Sequence, residues 1–220
     1  MKEKAITQTI KITGYSSIFF LMLIFAFLIK EGAPTLSEVP IRDLMSTRWY
    51  PIENYFGTLP LILGSLLVTL SSVLIALPFG IGTAVYLSEI APHNIKEVLK
   101  PTIEVLAGIP SVVLGFIGIV VLAPFLRQLM NLPTGLTAFT GSILLALISI
   151  PTIVSISEDA LYAVPQSYRH ASYALGATRW QTIWRVTLPA ARSGVLTAVM
   201  LGIGRSLGET MAVMMVTGNA

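Results

Sequence analysis

Residues 54–88 read NYFGTLPLILGSLLVTLSSVLIALPFGIGTAVYLS, with no Lys, Arg, Asp or Glu anywhere in the run. A bilayer core about 30 Å thick is crossed by about 20 apolar helical residues. The run is therefore too long for one perpendicular span. It can form a single long, tilted helix, or a hairpin turning near Pro78-Phe79-Gly80. The choice decides the fold, because it sets the side of the membrane on which every later segment emerges.

Working outward, four more apolar stretches flank this one. The first, Tyr15 to Ile29, follows Lys2, Lys4 and Lys11. That order suits a signal peptide, but Lys30-Glu31-Gly32-Ala33-Pro34 offers no small-x-small cleavage site, so an uncleaved span is expected. The third runs from Ile103 to Leu126, the fourth from Phe139 to Ile156, and the fifth from Gly194 to Thr217. Of the 220 residues 54% are hydrophobic and 11% charged, at a mean hydropathy of +0.80. Soluble domains carry about 25% charged residues, so the natural solvent of this chain is lipid. The absence of cysteine excludes disulfides, thiolate metal sites and a Cys nucleophile. His93 and His170 lie far apart and belong to no metal-ligand cluster.

Charge placement arbitrates the hairpin question, since cytoplasmic loops collect Lys and Arg. With 54–88 as one span and the N-terminus inside, Lys2, Lys4, Lys11, Lys96, Lys100, Arg169, Arg179, Arg185 and Arg192 are all cytoplasmic. Lys30, Arg42, Arg48 and Arg127 are outside. A hairpin would move Lys96, Lys100 and the four arginines of 169–192 outside. Five spans are expected, in an all-α integral membrane protein with the N-terminus in and Ala220 out. Residues 1–13 are a cytoplasmic N-terminus, 14–30 the first span and 31–56 an external loop. Trp49, Tyr50 and Tyr55 in that loop suit an interfacial aromatic belt, or are ordinary loop aromatics.

Several positions interrupt the apolar stretches. Gly108-Ile-Pro110-Ser111 lies inside the third and Pro151 inside the fourth. Each proline removes a helix hydrogen bond, and the freed carbonyl needs protein or water. The breaks mark either a cavity or a tolerated kink. Gly80, Gly82, Gly115 and Gly118 are expected to let helices approach closely. Arg205 and Glu209 sit mid-span in LGIGRSLGET, residues 201–210. A charge at the bilayer centre costs about 2.5–3.5 kcal/mol on insertion scales. At i, i+4 the two can pair along one helix face. They read as a self-neutralised packing pair or as part of a pathway for a charged solute. Arginine suits an oxyanion because its fork donates two parallel hydrogen bonds, and Gly202, Gly204 and Gly208 thin the helix beside it.

Between the fourth and fifth stretches, residues 157–190 form the most informative polar segment. Ser157-Glu158-Asp159 resembles a helix start, and Pro165 ends or redirects that helix. Ser167 is placed to cap a second short helix, which Gly176 terminates. Thr178-x-x-Gln181 is a capping box opening a third helix, Arg179 to Val186, and Pro189 fits the first turn of the fifth span. Tyr173, Leu175, Trp180, Ile183 and Trp184 give these helices an apolar face. That face suits either docking to a protein or lying on the headgroups.

One pattern in this segment resembles a known signature. His170-Ala171-Ser172-x-x-x-Gly176, nine residues, then Val186-x-Leu188-Pro189 is similar to the EAA motif of bacterial ATP-binding-cassette importer permeases. The spacing agrees throughout, and Ala171, Gly176, Leu188 and Pro189 agree in identity. His170 stands in place of Glu, Ser172 of Ala and Val186 of Ile. The resemblance implies that the segment is a coupling helix that fits a groove on a separate ATPase, with Gly176 as its turn.

Residues 204–213, GRSLGETMAV, with Thr217-Gly218-Asn219, resemble the PstC-type permeases of phosphate-specific (Pst) importers, as does Ala107-Gly-Ile-Pro-Ser111. The likeness covers nearly the whole chain. It implies a MetI-like permease fold with a permease domain over 57–220, and ties Arg205, Glu209 and Thr210 to phosphate translocation. It also implies a second, PstA-type permease, a PstB-type ATPase dimer and a PstS-type phosphate-binding protein as partners. The family continues past Gly-Asn into a sixth span, so a fragment or a truncated gene product is expected. No G-x-x-x-x-G-K-[ST] occurs in the 220 residues, so ATP and Mg are expected on the partner ATPase and no cofactor on this chain. A permease for molybdate or sulfate, an ATP-independent channel or scaffold, and a membrane enzyme are the other readings. The last is disfavoured because Glu209 has no second carboxylate, cysteine or histidine beside it.

Overall fold

The structure, a computed structural model, describes residues 2–53 and 55–218. Met1, Asn54, Asn219 and Ala220 lie outside the described residues, and with them the end of the Thr217-Gly-Asn match and the expected external position of Ala220. The chain divides into two compact units, residues 1–63 and 64–220.

In the first unit, α1 (Lys2–Glu38) extends well beyond the expected Tyr15–Ile29 stretch. Its portion Ile6–Pro34 is long and apolar enough to cross a membrane. After a short α2 (Ile41–Leu44), β1 (Trp49–Tyr50) and β2 (Tyr55–Phe56) form an antiparallel ribbon with Trp49 opposite Phe56. Two-residue strands are too short to show alternation, so the sequence gives no sign of them beyond a plain loop. The ribbon is tied at its base, where the Thr58 hydroxyl donates to the Leu44 carbonyl at 2.7 Å. The Arg48 guanidinium lies 5.8 Å over the Tyr55 ring, and Trp49, Tyr50 and Tyr55 are exposed.

The uncharged run is one helix. α3 (Leu59–Val85) continues into a π-helical turn over Tyr86–Ile90, giving 32 continuous residues with Pro78 inside. At 1.5 Å per residue this is about 48 Å, longer than a bilayer core. The hairpin is excluded.

The third stretch begins later than expected. Residues 103–108 finish α4 (His93–Gly108), an amphipathic helix with no fully buried residue. The span itself is Ser111–Met130, made of α5 (Ser111–Ile117), a π-helical turn (Gly118–Leu122) and α6 (Ala123–Met130). The boundary is chemical. Pro110 disfavours the helical region for the residue before it, and Ile109 is extended at φ −66°, ψ 130°. The expected mid-span kink is thus the start of the span.

The fourth stretch, α7 (Ala138–Tyr162), starts at a Thr137 cap that accepts from the Thr140 N–H. It runs straight through Ser157-Glu158-Asp159, which is therefore no helix start. Ser157 and Glu158 are buried on its packed face, and nothing breaks the helix until Pro165 approaches. α7 is the centre of the second unit, packing along α11 and against α4 and α12. Ile153 is keyed between two glycines. A Cβ on Gly80 would meet it at 2.7 Å, and one on Gly202 at 2.5 Å. Gly115 meets Ala212 and Gly118 meets Val216 in the same way, whereas Gly82 and Gly204 face open space.

Beyond α7 come α8 (Gln166–Ala174), α9 (Arg179–Thr182), a π-helical turn (Ile183–Thr187) and α10 (Leu188–Ala190). α11 (Arg192–Gly208) and α12 (Met211–Thr217) follow. Pro165, not Ser167, precedes α8, and Pro189 lies in α10 rather than in the next span. Four helices among the described residues are long and apolar enough to cross a membrane. A fifth crossing is met only by a pair, Arg179–Ala190 with Arg192–Gly208, bent by 72°.

Candidate functional site

The interior cation is the first of two constellations. Arg205 and Glu209 do not share a helix face, because α11 stops at Gly208 and Glu209 is extended at φ −83°, ψ 116°. The expected i, i+4 pair is absent, and each side chain serves a different helix end. Arg205 Nη1 donates to Thr152 Oγ1 at 3.0 Å and Nη2 to the Ala107 carbonyl at 3.1 Å. That carbonyl lies in the last turn of α4, where backbone acceptors lack helical partners. A cation at a helix C-terminus also meets the negative end of its dipole. Glu209 Oε1 accepts from the Ala212 N–H at 3.2 Å, at the positive end of α12. The exposed Thr210 gives its carbonyl to the Met214 N–H at 3.0 Å.

Beside Arg205 runs a seam of buried hydroxyls. Ser206 Oγ lies 2.8 Å from Ser149 Oγ and 3.4 Å from Ser72 Oγ. These serines join α3, α7 and α11, where the sequence by itself points only to apolar packing. A small hydroxyl inside a Leu- and Ile-rich run carries little periodic signal, and only the three-helix meeting makes it visible.

The second constellation is the segment 166–190. α8 ends at Gly176 with φ +83°, the left-handed region that glycine enters freely. The Gly176 N–H donates to the Tyr173 carbonyl at 2.9 Å. Both halves of the Thr178–Gln181 capping box are formed. Ala171, Ser172, Gly176 and Val186 come together in one open concavity of about 580 Å³, with Tyr168, Leu175, Gln181 and Arg185 at its wall. Ser172 Oγ and Thr182 Oγ1, 2.9 Å apart, pin its two sides. His170 is exposed on α8, Leu188 packs on the buried core and Pro189 is exposed in α10. Of the expected apolar face, Leu175, Trp180, Trp184 and Tyr173 are exposed, whereas Ile183 is buried in the core. Trp180 and Trp184 meet edge to face at 5.7 Å.

Sequence reasoning missed what holds this segment. Arg169 and Glu89 form a buried ion pair, Nη2 to Oε1 at 2.6 Å. Lys100 Nζ binds Glu158 Oε2 at 2.5 Å and Asp159 Oδ1 at 3.0 Å, tying α4 to the end of α7. The available signal for Glu89 was its position, as the first acid after a long uncharged run.

Residues 76–220 match the family described as the binding-protein-dependent transport system inner membrane component. The probable ABC transporter permease protein YqgH of Bacillus subtilis (strain 168) is 52% identical over 182 residues, covering 82% of this chain and 59% of that protein. The phosphate transport system permease protein PstC of Xylella fastidiosa (strain Temecula1) is 37% identical, covering 86% and 64%. The protein of the same name from Pasteurella multocida is 31% identical, covering 94% and 72%. The chain thus spans 59% and 64% of the first two relatives. Among solved structures, one of the MetNI methionine ABC transporter, in inward-facing conformations, matches at a TM-score of 0.59 and 24% identity, over 67% of this chain and 68% of that one. That likeness is one of fold. With its helical architecture and the stretch from Ala76 onward matched in this way, the chain belongs to the family of binding-protein-dependent transport system inner membrane components.

Proposed function

We propose that this chain is a permease subunit of an ATP-driven importer and that it conducts inorganic phosphate across the cytoplasmic membrane. The observation that carries the reading is the segment 166–190, short helices folded at Gly176. Its Gly176 turn, open concavity and exposed Leu175, Trp180 and Trp184 form a docking element. A helix presented to a groove is a common mode of recognition, and a channel that opens without ATP has no use for one. The ATP, with its Mg, belongs to a separate ATPase dimer, PstB-type by resemblance. A second, PstA-type permease and a PstS-type binding protein complete the complex. His170, Ala171, Ser172, Gly176, Val186, Leu188 and Pro189 are the docking residues.

The cargo assignment is supported by the relatives named as phosphate transport permeases and by the chemistry of Arg205. Its fork suits a tetrahedral oxyanion, and Glu209 and Thr210 follow four and five residues on, at the break between α11 and α12. The N-terminus is cytoplasmic in this reading. The test is uptake of radiolabelled phosphate by the full-length gene product reconstituted with its partner subunits. Uptake should need ATP and resist excess molybdate and sulfate. Equal competition by either replaces phosphate with that oxyanion, and uptake without ATP removes the importer reading.

A further inference from the structure

We propose that Glu89 locks the docking segment to the end of α3, so that the two move as one body and Glu89 is the residue through which the segment's motion enters the membrane. The proposal rests on the reading of 166–190 as a docking element.

Glu89 is held twice, from both sides of the Gly176 turn. From α8, before the turn, Arg169 grips its carboxylate. Nη2 donates to Oε1 at 2.6 Å, and Nε lies 3.2 and 3.3 Å from Oε1 and Oε2. From α9, after the turn, Arg179 donates to the Glu89 backbone carbonyl. The turn cannot flex without breaking one of these grips. The rest of the Arg169 fork is also engaged, with Nη1 on the Val164 carbonyl at 2.6 Å and Nη2 on the Leu161 carbonyl at 2.9 Å. One guanidinium therefore joins α8, the end of α7 and the π-helical turn that ends α3. Side-chain exposure is 8% for Arg169 and 6% for Glu89. Water does not screen the pair, and no solvent is at hand to replace a lost partner.

α3 then provides the lever. From Glu89 it runs without a break to Ser72, about 25 Å at 1.5 Å per residue. There Ser72 reaches Ser206, the neighbour of Arg205. A displacement of the docking segment is thus delivered, through one continuous helix with Pro78 inside it, to Arg205. A π-helical turn carries one residue more than an α-helical turn and is often found at functional points. Here it places Glu89 between the two arginines.

The test uses the full complex and two readouts. In the first, the phosphate imported per ATP hydrolysed is compared for the parent, Glu89→Gln and Arg169→Lys. The expected result is a fall of about tenfold in both variants, of the size usual for lost coupling between sites, with the ATPase still co-purifying. A variant that only lowered stability would lower the amount of complex and not this ratio. An unchanged ratio overturns the proposal. The second readout needs no disturbance of the clamp. The chain has no cysteine, so spin labels on Ile90→Cys and Ser167→Cys, both exposed positions, report one distance. That distance should be the same in nucleotide-free and ATP-bound complexes, and a change of several ångströms between them overturns the rigid-body claim. If the parent chain fails to retain the ATPase at all, it is the docking reading that fails.

Discussion

Arg205 is a charge in an apolar stretch with an observed structural task and a proposed transport role. Its contacts with Thr152 and the Ala107 carbonyl give it a structural task, closing the end of α4 where Pro110 breaks the chain. Hydrogen bonds to charged groups contribute about 1.5–3 kcal/mol, so this task alone is worth keeping. The transport role proposed for Arg205 is tested separately from it. Arg205→Ala is expected to abolish phosphate uptake while ATPase co-purification persists. Retained uptake would restrict Arg205 to capping α4. Lys100 gives a residue-scale prediction in pH. The hydrogen bond to Glu158, its largest influence, together with that to Asp159 and the charges of both carboxylates, outweighs burial and holds its ammonium well above the ordinary 10.5. The folded value lies above the unfolded one. The stabilisation is therefore complete below 10.5 and is lost only as pH rises through the higher folded value. The difference in Tm between parent and Lys100→Met should stay flat from neutrality up to 10.5 and close above it. A difference that closes below 10.5 contradicts the assignment.

Elements here begin and end where single residues dictate, and that governs both their mutational response and their legibility. Gly176 at φ +83° has open space around it, with no atom within 4 Å of where a Cβ would stand, so any substitution cost there is purely one of backbone. Gly176→Ala should destabilise the segment by about 1–2 kcal/mol, and Gly176→Asn by less, since Asn tolerates the left-handed region. Equal losses for the two, by thermal unfolding of the complex, would show that something other than φ is at stake. At Gly202, a Cβ would strike Ile153 at 2.5 Å. Gly202→Val should cost about 1–3 kcal/mol through overpacking, and Ile153→Ala should restore part of it. Additive losses in the double variant would disprove the contact. The same dependence explains what is legible without a structure. The capping box and the Gly176 stop are local chemistry and can be read directly. So can the unbroken α3, because charge placement decides it without any contact. The end of α7 cannot, since Ser157 is a good cap in isolation and only its burial keeps it helical. Nor can the Arg205–Glu209 separation, because extended backbone at Glu209 interrupts a sequence that reads as a continuous helix. Glu89 with Arg169 lies beyond any periodic signal, the partners being eighty residues apart in the chain.

At the scale of the whole chain, the proposed orientation rests on where the cations collect. Within residues 64–220, Lys96 binds the Ser88 carbonyl, Lys100 binds Glu158 and Asp159, and Arg169 and Arg179 bind Glu89. Four cations thus gather where α3 and α7 end and α4 begins, with Arg185 and Arg192 following in the chain. Arg127 lies near the end of α6, beyond the opposite end of α7. By the positive-inside rule the crowded end is expected in the cytoplasm, which agrees with the proposed docking of an ATPase on 166–190. Gln128 and Ser167 are exposed positions flanking α7 on its two sides. In cells carrying the otherwise cysteine-free chain, Gln128→Cys should react with a membrane-impermeant maleimide added outside. Ser167→Cys should react only after the membrane is permeabilised. The reverse pattern would invert the orientation and place 166–190 out of reach of any cytoplasmic ATPase. Labelling of both from outside would mean that α7 does not cross, and the fold would have to be rebuilt around a different set of spans.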